Sequence, residues 1–339
     1  FQGRKDRYNE IDDMSEATQL KRIKWKGDSV EEMTSTFSYS KLSDAAKISY
    51  DLWAHQYEAA LAGKAFMRRG YVFHQMSGTH SFFPTLMMNY HTVETEQDMT
   101  DYISRVSAIG AAMADLTGQA KLAAGEGVRP PRFAYEIVMK ESKAIISGAP
   151  FDDSGTDSTL WADANTKVSA LVKADTITQK QGDSLIKAVR TALINDFAPG
   201  YDDLIAFMAD DLKNTSEEAL GVHALPEGDE FYKYRLKSIT TTDMTADQIH
   251  QVGLDEVKRI RGEMEVIKEK DGFKGTLQDY FAYIRDSKDD EKFYYDNTDE
   301  GRQGYIDDAT AAIENLKKEL PNYFGILPKA DLVVKRVEA

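Results

Sequence analysis

The chain contains no cysteine. Disulfides, thiolate metal sites and cysteine nucleophiles are therefore excluded. Glycine (22) and proline (8) are scarce among the 339 residues, so collagen-like and low-complexity classes fail. Basic residues are outnumbered, 42 Lys+Arg against 57 Asp+Glu, giving a net charge of −15. That balance argues against a sequence-independent phosphate binder, which needs clustered cations. No apolar run approaches the roughly 20 residues that span a bilayer. The helical zinc-hydrolase pattern H-E-x-x-H is absent, as are the serine-hydrolase elbow, the phosphate loop and the dinucleotide fingerprint. No internal repeat of 20–50 residues aligns.

What is present is a foldable core. Apolar residues make up 42% of the chain, and 15 Phe, 17 Tyr and 3 Trp supply large side chains for packing. The length suits one large domain or two of ordinary size. A subdivision into 1–150 and 151–339 is the expected one, with breaks between helical layers at 148–163 and 224–245.

The periodicity is helical almost throughout, and the fold class is all-α with at most one or two short strands near the C-terminus. The clearest helix spans about 245–271. Thr245 and Gln248 suit a capping box, and Ile249, Val252, Leu254, Val257, Ile260, Met264 and Ile267 form a broad apolar stripe. Gly272 stops it. Thr95 and Asp98 cap a second helix, whose face carries Tyr102, Val106, Ile109, Met113, Leu116 and Ala120. Pro130-Pro131 opens another, continued by Ile137, Val138, Ala144 and Ile145. Thr178 and Gln181 cap a helix through Leu185, Val189, Ala192 and Leu193. A further one follows Pro199-Gly200 through Leu204, Ile205, Met208 and Leu212. Ser43 caps a helix through Ile48, Leu52 and Leu61, and Tyr305, Ala309, Ile313, Leu316 and Leu320 line up before Pro321. The one good strand signal is 331–338, D-L-V-V-K-R-V-E.

Six histidines are the natural candidates for chemistry. His55 with Glu58 and His91 with Glu94 are one-turn pairs, more often solvated or capping than metal-binding. The segment 75–84 is polar, contains glycine and is flanked by large apolar residues. It reads either as a loop lining a ligand groove or as a buried turn whose polar groups cap neighbouring helices. Gln75, His80 and Asn89 are the groove candidates. Residues 296–301 match a calcium loop in part, with Asp296 and Gly301 in place, but Asp307 stands where a bidentate Glu belongs. A solvated acidic turn followed by a helix fits better. Thr240-Thr241-Thr242 reads as strand or turn plus cap.

The stretch Leu225-Pro226-Glu227-Gly228, Tyr232, Leu236, Thr240-Thr241-Thr242, Thr245, Ile249-His250, Gly253, Glu256-Val257, Arg259-Ile260 and Glu263-Met264 resembles the bacterial domain-of-unknown-function family 885. Upstream, Arg7-Tyr8, Asp12-Asp13, Gln75, Gly78, Pro84 and Pro130-Pro131-Arg132 fit it too, as do Phe293-Tyr294, Leu320-Pro321 and Leu327-Pro328 downstream. The resemblance implies a helical, zinc-metallopeptidase-like protein, often an exported lipoprotein of the periplasm or outer membrane. It implies zinc ligands in segments that lie after the point where this sequence stops. No residue here matches them, so no metal ligand and no catalytic residue carries over. This chain then corresponds to the N-terminal helical lobe of a two-lobed protein. Its partners would be a C-terminal catalytic half and a peptide substrate, and it would be inactive alone. The competing expectation is a ligand- or peptide-binding helical lipoprotein without catalytic activity; a blander one is a helical scaffold for assembly. The same resemblance favours a native Phe1-Gln2-Gly3 over the scar of a cleavable tag.

Overall fold

A computed structural model describes residues 5–76, 78–288, 290 and 292–334. The fold is all-α: among the described residues there is no strand, and an isolated parallel bridge joins Ala149 and Asp157. The chain divides into two compact units, Phe1–Thr245 and Ala246–Ala339.

The first unit holds α1 (Glu16–Thr36), α2 (Asp44–Gly63), α3 (Thr79–Asn89), α4 (Glu96–Gly125), α5 (Arg132–Ile145), α6 (Thr159–Lys173), α7 (Gln179–Ala192), α8 (Ala198–Asp211) and α9 (Gly228–Thr240). Side-chain oxygens at their starts satisfy backbone N–H groups that have no partner inside the helix. Ser15 and Ser43 do so for α1 and α2, and Ser158 for α6. Thr95 with Asp98, and Thr178 with Gln181, form capping boxes.

Helix α4 is the axis of this unit. Its expected face is buried at Tyr102, Val106, Ile109, Met113 and Leu116, and it packs against α3, α6, α7 and α8. The closest approach is made by glycine. A Cβ on Gly110 would stand 1.9 Å from the carbonyl oxygen of Asp196, and one on Gly200 would stand 2.6 Å from that of Gly110. Asp196 belongs to a π-turn, Leu193–Phe197, that joins α7 to α8 without a break. The sequence suggests an interruption at Pro199-Gly200. Pro199 instead lies inside this continuous helical run, directly after the π-turn.

The polar segment is a further correction. The segment 75–84 is not one loop: helix starts at Thr79 and runs through Pro84. On α5, Val138 is buried, but Ile137 and Ala144 are exposed. Ile48, Leu52 and Leu61 are exposed, and neither α1 nor α2 buries a residue fully. These two helices pack on each other through smaller contacts, such as the 2.7 Å hydrogen bond from Trp53 Nε1 to Ser29 Oγ.

The second unit contains α10 (Ala246–Lys270), α11 (Leu277–Asp286) and α12 (Asp299–Glu319). Helix α10 matches its expected span, but its apolar stripe is not a buried face; none of its residues is buried. Leu277 and Tyr280 of α11 are buried, and Phe273 packs on Tyr280 and Tyr283 with ring centroids 5.3 Å apart in both pairs. Residues 331–334 carry no strand, and 335–338 lie outside the described residues. A lone alternating run has no partner here for its backbone groups. The acidic turn before α12 ends in a conventional cap, in which Thr298 accepts from the N–H of Gly301.

Candidate functional site

The three candidates from the sequence do not converge. His80 is the second residue of α3 and is fully buried. Asn89 is the last residue of the same helix and is exposed. They stand nine helical steps apart, about 13 Å along the axis. Gln75 is half-buried in the turn before α3. The neighbouring Ser77 lies outside the described residues.

His80 has the most specific surroundings. Its Nε2 lies 2.8 Å from Oε2 of Glu141 on α5. An ionised carboxylate only accepts, so Nε2 carries the proton and donates. Nδ1 is buried and has no hydrogen-bond partner among the described residues. Gly78 makes room for the ring: a Cβ there would stand 2.5 Å from Nδ1 and Cε1. Phe73 meets the ring edge-on at 6.1 Å. Burial pushes the His80 pKa below the ordinary value, and the Glu141 carboxylate opposes that shift without overcoming it. The imidazole is therefore neutral at pH 7, held by one nitrogen.

The backbone of His80 is also engaged. Pro84 cannot donate the helical hydrogen bond to the carbonyl four residues earlier. Tyr201 on α8 takes its place, its hydroxyl donating to the His80 carbonyl at 2.6 Å. So α3, α5 and α8 meet at one residue.

His91 departs from its expected solvated pairing with Glu94. It is buried at the corner between α3 and α4, and its ring nitrogens bond to groups other than Glu94. Its Nε2–H donates to the Asp98 carbonyl at 2.9 Å, and Nδ1 accepts from Arg105 at 3.0 Å. His55 and Glu58, by contrast, are both exposed, as expected of a solvated pair. A third polar knot joins α5 to α8. Arg129 grips Asp211 with Nε and Nη2 at 2.8 and 3.0 Å, while Tyr135 and Asn214 donate to the same carboxylate. Burial alone would raise the Asp211 pKa; these hydrogen bonds overcome it and hold it below the usual carboxylate range.

Among the described residues, no group of three or more His, Asp and Glu side chains is placed to hold a metal ion. The void lined by Gly70, Tyr71, Phe73, Ala123, Tyr135 and Phe207 measures about 10 Å³, room for one water. An open polar groove of about 440 Å³ runs between α6 and α7, past Asn165, Ser169, Lys173, Gln179 and Asp183. Neither is lined by Gln75, His80 or Asn89. Among the described residues, no helix is long and apolar enough to cross a membrane.

The family's sequence profile, described as "Bacterial protein of unknown function (DUF885)", matches residues 1–339. The chain belongs to this family. No curated protein matches it. A similar solved structure is described as "the putative lipoprotein from Colwellia psychrerythraea", with a TM-score of 0.66 and 24% identity. The match covers 77% of this chain and 43% of that one, so this DUF885 chain spans less than half of that protein's length. At this identity the likeness speaks for the helical fold alone.

Glu141 and Tyr201, 61 and 121 residues from His80, give no local signal of their roles. The one usable clue was Pro84, which guarantees an unserved carbonyl four residues upstream once the segment is read as helix.

Proposed function

We propose that this chain is the helical, non-catalytic portion of an exported peptidase-like protein, and that the turn before α3 together with His80 shapes part of its substrate groove. The observation that carries the reading is the His80–Glu141 pair. One ring nitrogen is fixed by a carboxylate at 2.8 Å, and the other is left without a partner among the described residues. Buried polar atoms are normally satisfied, so an unpartnered acceptor calls for a further donor. Glu141 is partly exposed and connects this buried atom's surroundings to the surface. Membership of DUF885 and the likeness to a protein described as a lipoprotein support an exported setting. The zinc and the general base that the family resemblance implies would be supplied outside this chain, where a metal-bound water would do the hydrolysis.

A second reading, a ligand- or peptide-binding lipoprotein without catalysis, rests on the same His80 site and on that neighbour's description. One experiment separates the two. The whole protein is analysed for bound metal and assayed against a peptide library with and without chelator. Chelator-sensitive cleavage supports the peptidase; metal-free protein that binds peptides without cutting them supports the binder. Gln75→Ala and His80→Gln in the whole protein should raise KM or lower kcat. Unchanged kinetics in both would reassign the segment to packing.

A further inference from the structure

The segment before α1 is tied to the rest of the first unit by a set of contacts grouped around His91. The Tyr8 ring stacks on the His91 imidazole with centroids 4.0 Å apart, and its hydroxyl donates to the Thr92 carbonyl at 3.1 Å. The Arg105 guanidinium lies 4.7 Å from the centre of the Tyr8 ring and donates to the Glu10 carbonyl at 3.0 Å. Lys5 reaches Asp98 at 2.9 Å and Glu94 at 3.1 Å. Ile11 and Met14, next along the chain, pack against the apolar core. Residues 5–10 thus form a polar strap, and 11–14 anchor its far end.

We propose that His91 is a proton-operated catch for this strap: it holds residues 5–10 down while neutral and lets them go when protonated.

The argument is one of donors and acceptors. In the latched state Nε2–H donates to the Asp98 carbonyl and Nδ1 accepts from Arg105. Neutral imidazole has one donor and one acceptor, so both are used. A proton added at Nδ1 would place an N–H against the Arg105 N–H at 3.0 Å, two donors and two positive charges face to face. Arg105 must then withdraw from His91. Because Arg105 also covers the Tyr8 ring and holds the Glu10 carbonyl, its withdrawal removes the centre of the strap's contacts.

The surrounding charges do not rescue the imidazolium. From α4, Asp98 offers its backbone carbonyl to the ring, while its carboxylate is taken by Lys5 and by the N–H groups of Glu94 and Thr95. Tyr102 meets the ring edge-on, and its hydroxyl is committed to Asp163. From α6, Lys167 adds a further positive charge, partly offset by its pairing with Asp163. Glu94 is largely exposed and bonded to Lys5. Asp101 acts on Arg105. Burial accordingly pushes His91 down to about 4 from an ordinary 6.5.

Opening then takes up one proton between those two values. Hydrogen exchange of residues 5–10 followed by mass spectrometry, corrected for intrinsic exchange, reads this directly. The amides of Tyr8 and Glu10 are hydrogen-bonded within the strap and serve as probes. Protection should fall by up to about tenfold for each pH unit from about 6 to about 4.5. Ordinary carboxylates are mostly ionised over that range. His91→Gln keeps an amide donor and acceptor but cannot titrate, so its profile should be flat there, with core amides of α4 still protected. A wild-type profile that is flat over this range overturns the proposal without any variant. An equally steep profile in a folded His91→Gln protein overturns it too, by assigning the proton to another group.

Discussion

The hydroxyl of Tyr201 lies 2.6 Å from the carbonyl oxygen of His80 and donates to it, filling the place of the N–H that Pro84 lacks. A proline in the second turn of a helix leaves such a carbonyl open, and here it is buried, where an unmet acceptor costs about 1–3 kcal/mol. Tyr201→Phe should therefore destabilise the protein by about that amount in urea unfolding. In a Pro84→Ala background, which restores the helical N–H, the same substitution should cost markedly less. Equal costs in the two backgrounds would mean that the hydroxyl is not substituting for the missing bond.

The crossing of α4 and α8 depends on absent side chains. At 1.9 Å from the Asp196 carbonyl, a methyl group on Gly110 has no room, and the obstacle is backbone rather than a movable side chain. Gly110→Ala should cost at least about 3 kcal/mol, the upper end for overpacking. Gly118→Ala is the control on the same helix. Its Cβ meets nothing within 4 Å, and it should be neutral or stabilising by up to about 1 kcal/mol.

Asp211 carries one charge for three donors. Asp211→Ala strands the Arg129 guanidinium and the buried Tyr135 hydroxyl together, and should cost about 3–5 kcal/mol. Arg129→Met and Tyr135→Phe should couple by more than about 0.5 kcal/mol in a double-mutant cycle, because both donate to the same oxygen, Oδ2. Strict additivity would show that the two hydrogen bonds act independently.

Stability should rise with pH below neutrality. His80 and His91 both have folded pKa values below the ordinary 6.5, set chiefly by burial. The unfolded chain then binds more protons than the folded one. Their contribution is complete above about 6.5 and shrinks as pH falls. For His91 the loss levels off near 4, after at most about 3 kcal/mol. Asp98 and Asp211, held below the ordinary carboxylate value, stabilise the fold above about 3.9, and that part is lost only at still lower pH. Urea midpoints measured from about pH 4 to 7 should increase, with a smaller slope in His91→Gln. Midpoints that decrease over this range would contradict neutral buried histidines.

Local structure was legible because it is written in local chemistry. Thr95 with Asp98 and Thr178 with Gln181 announce helix starts, Gly272 an end, and Tyr102, Val106, Ile109 and Met113 one shared apolar face, since each signal acts within a turn or two of its own position. The same periodicity puts Ile48, Leu52 and Val257 on helices, where they are found, yet all three are exposed. A stripe shows which side of a helix is apolar, not that anything covers it. The reading of 75–84 as a loop gave too much weight to polar residues and a proline that a helix can hold when Tyr201 serves the open carbonyl. The distance of His80 from Asn89 follows from helical rise, which a loop reading hides.

The sequence by itself determined the all-α class, the helix caps, the absence of thiol chemistry and membership of the family. Only the tertiary structure decided which polar groups meet: His80 with Glu141 and Tyr201, His91 with Tyr8 and Arg105, Asp211 with Arg129 and Tyr135. Capping and helical periodicity act between residues a few positions apart, whereas these pairings join residues 14 to 121 positions apart, and helix packing alone brings them within hydrogen-bond range.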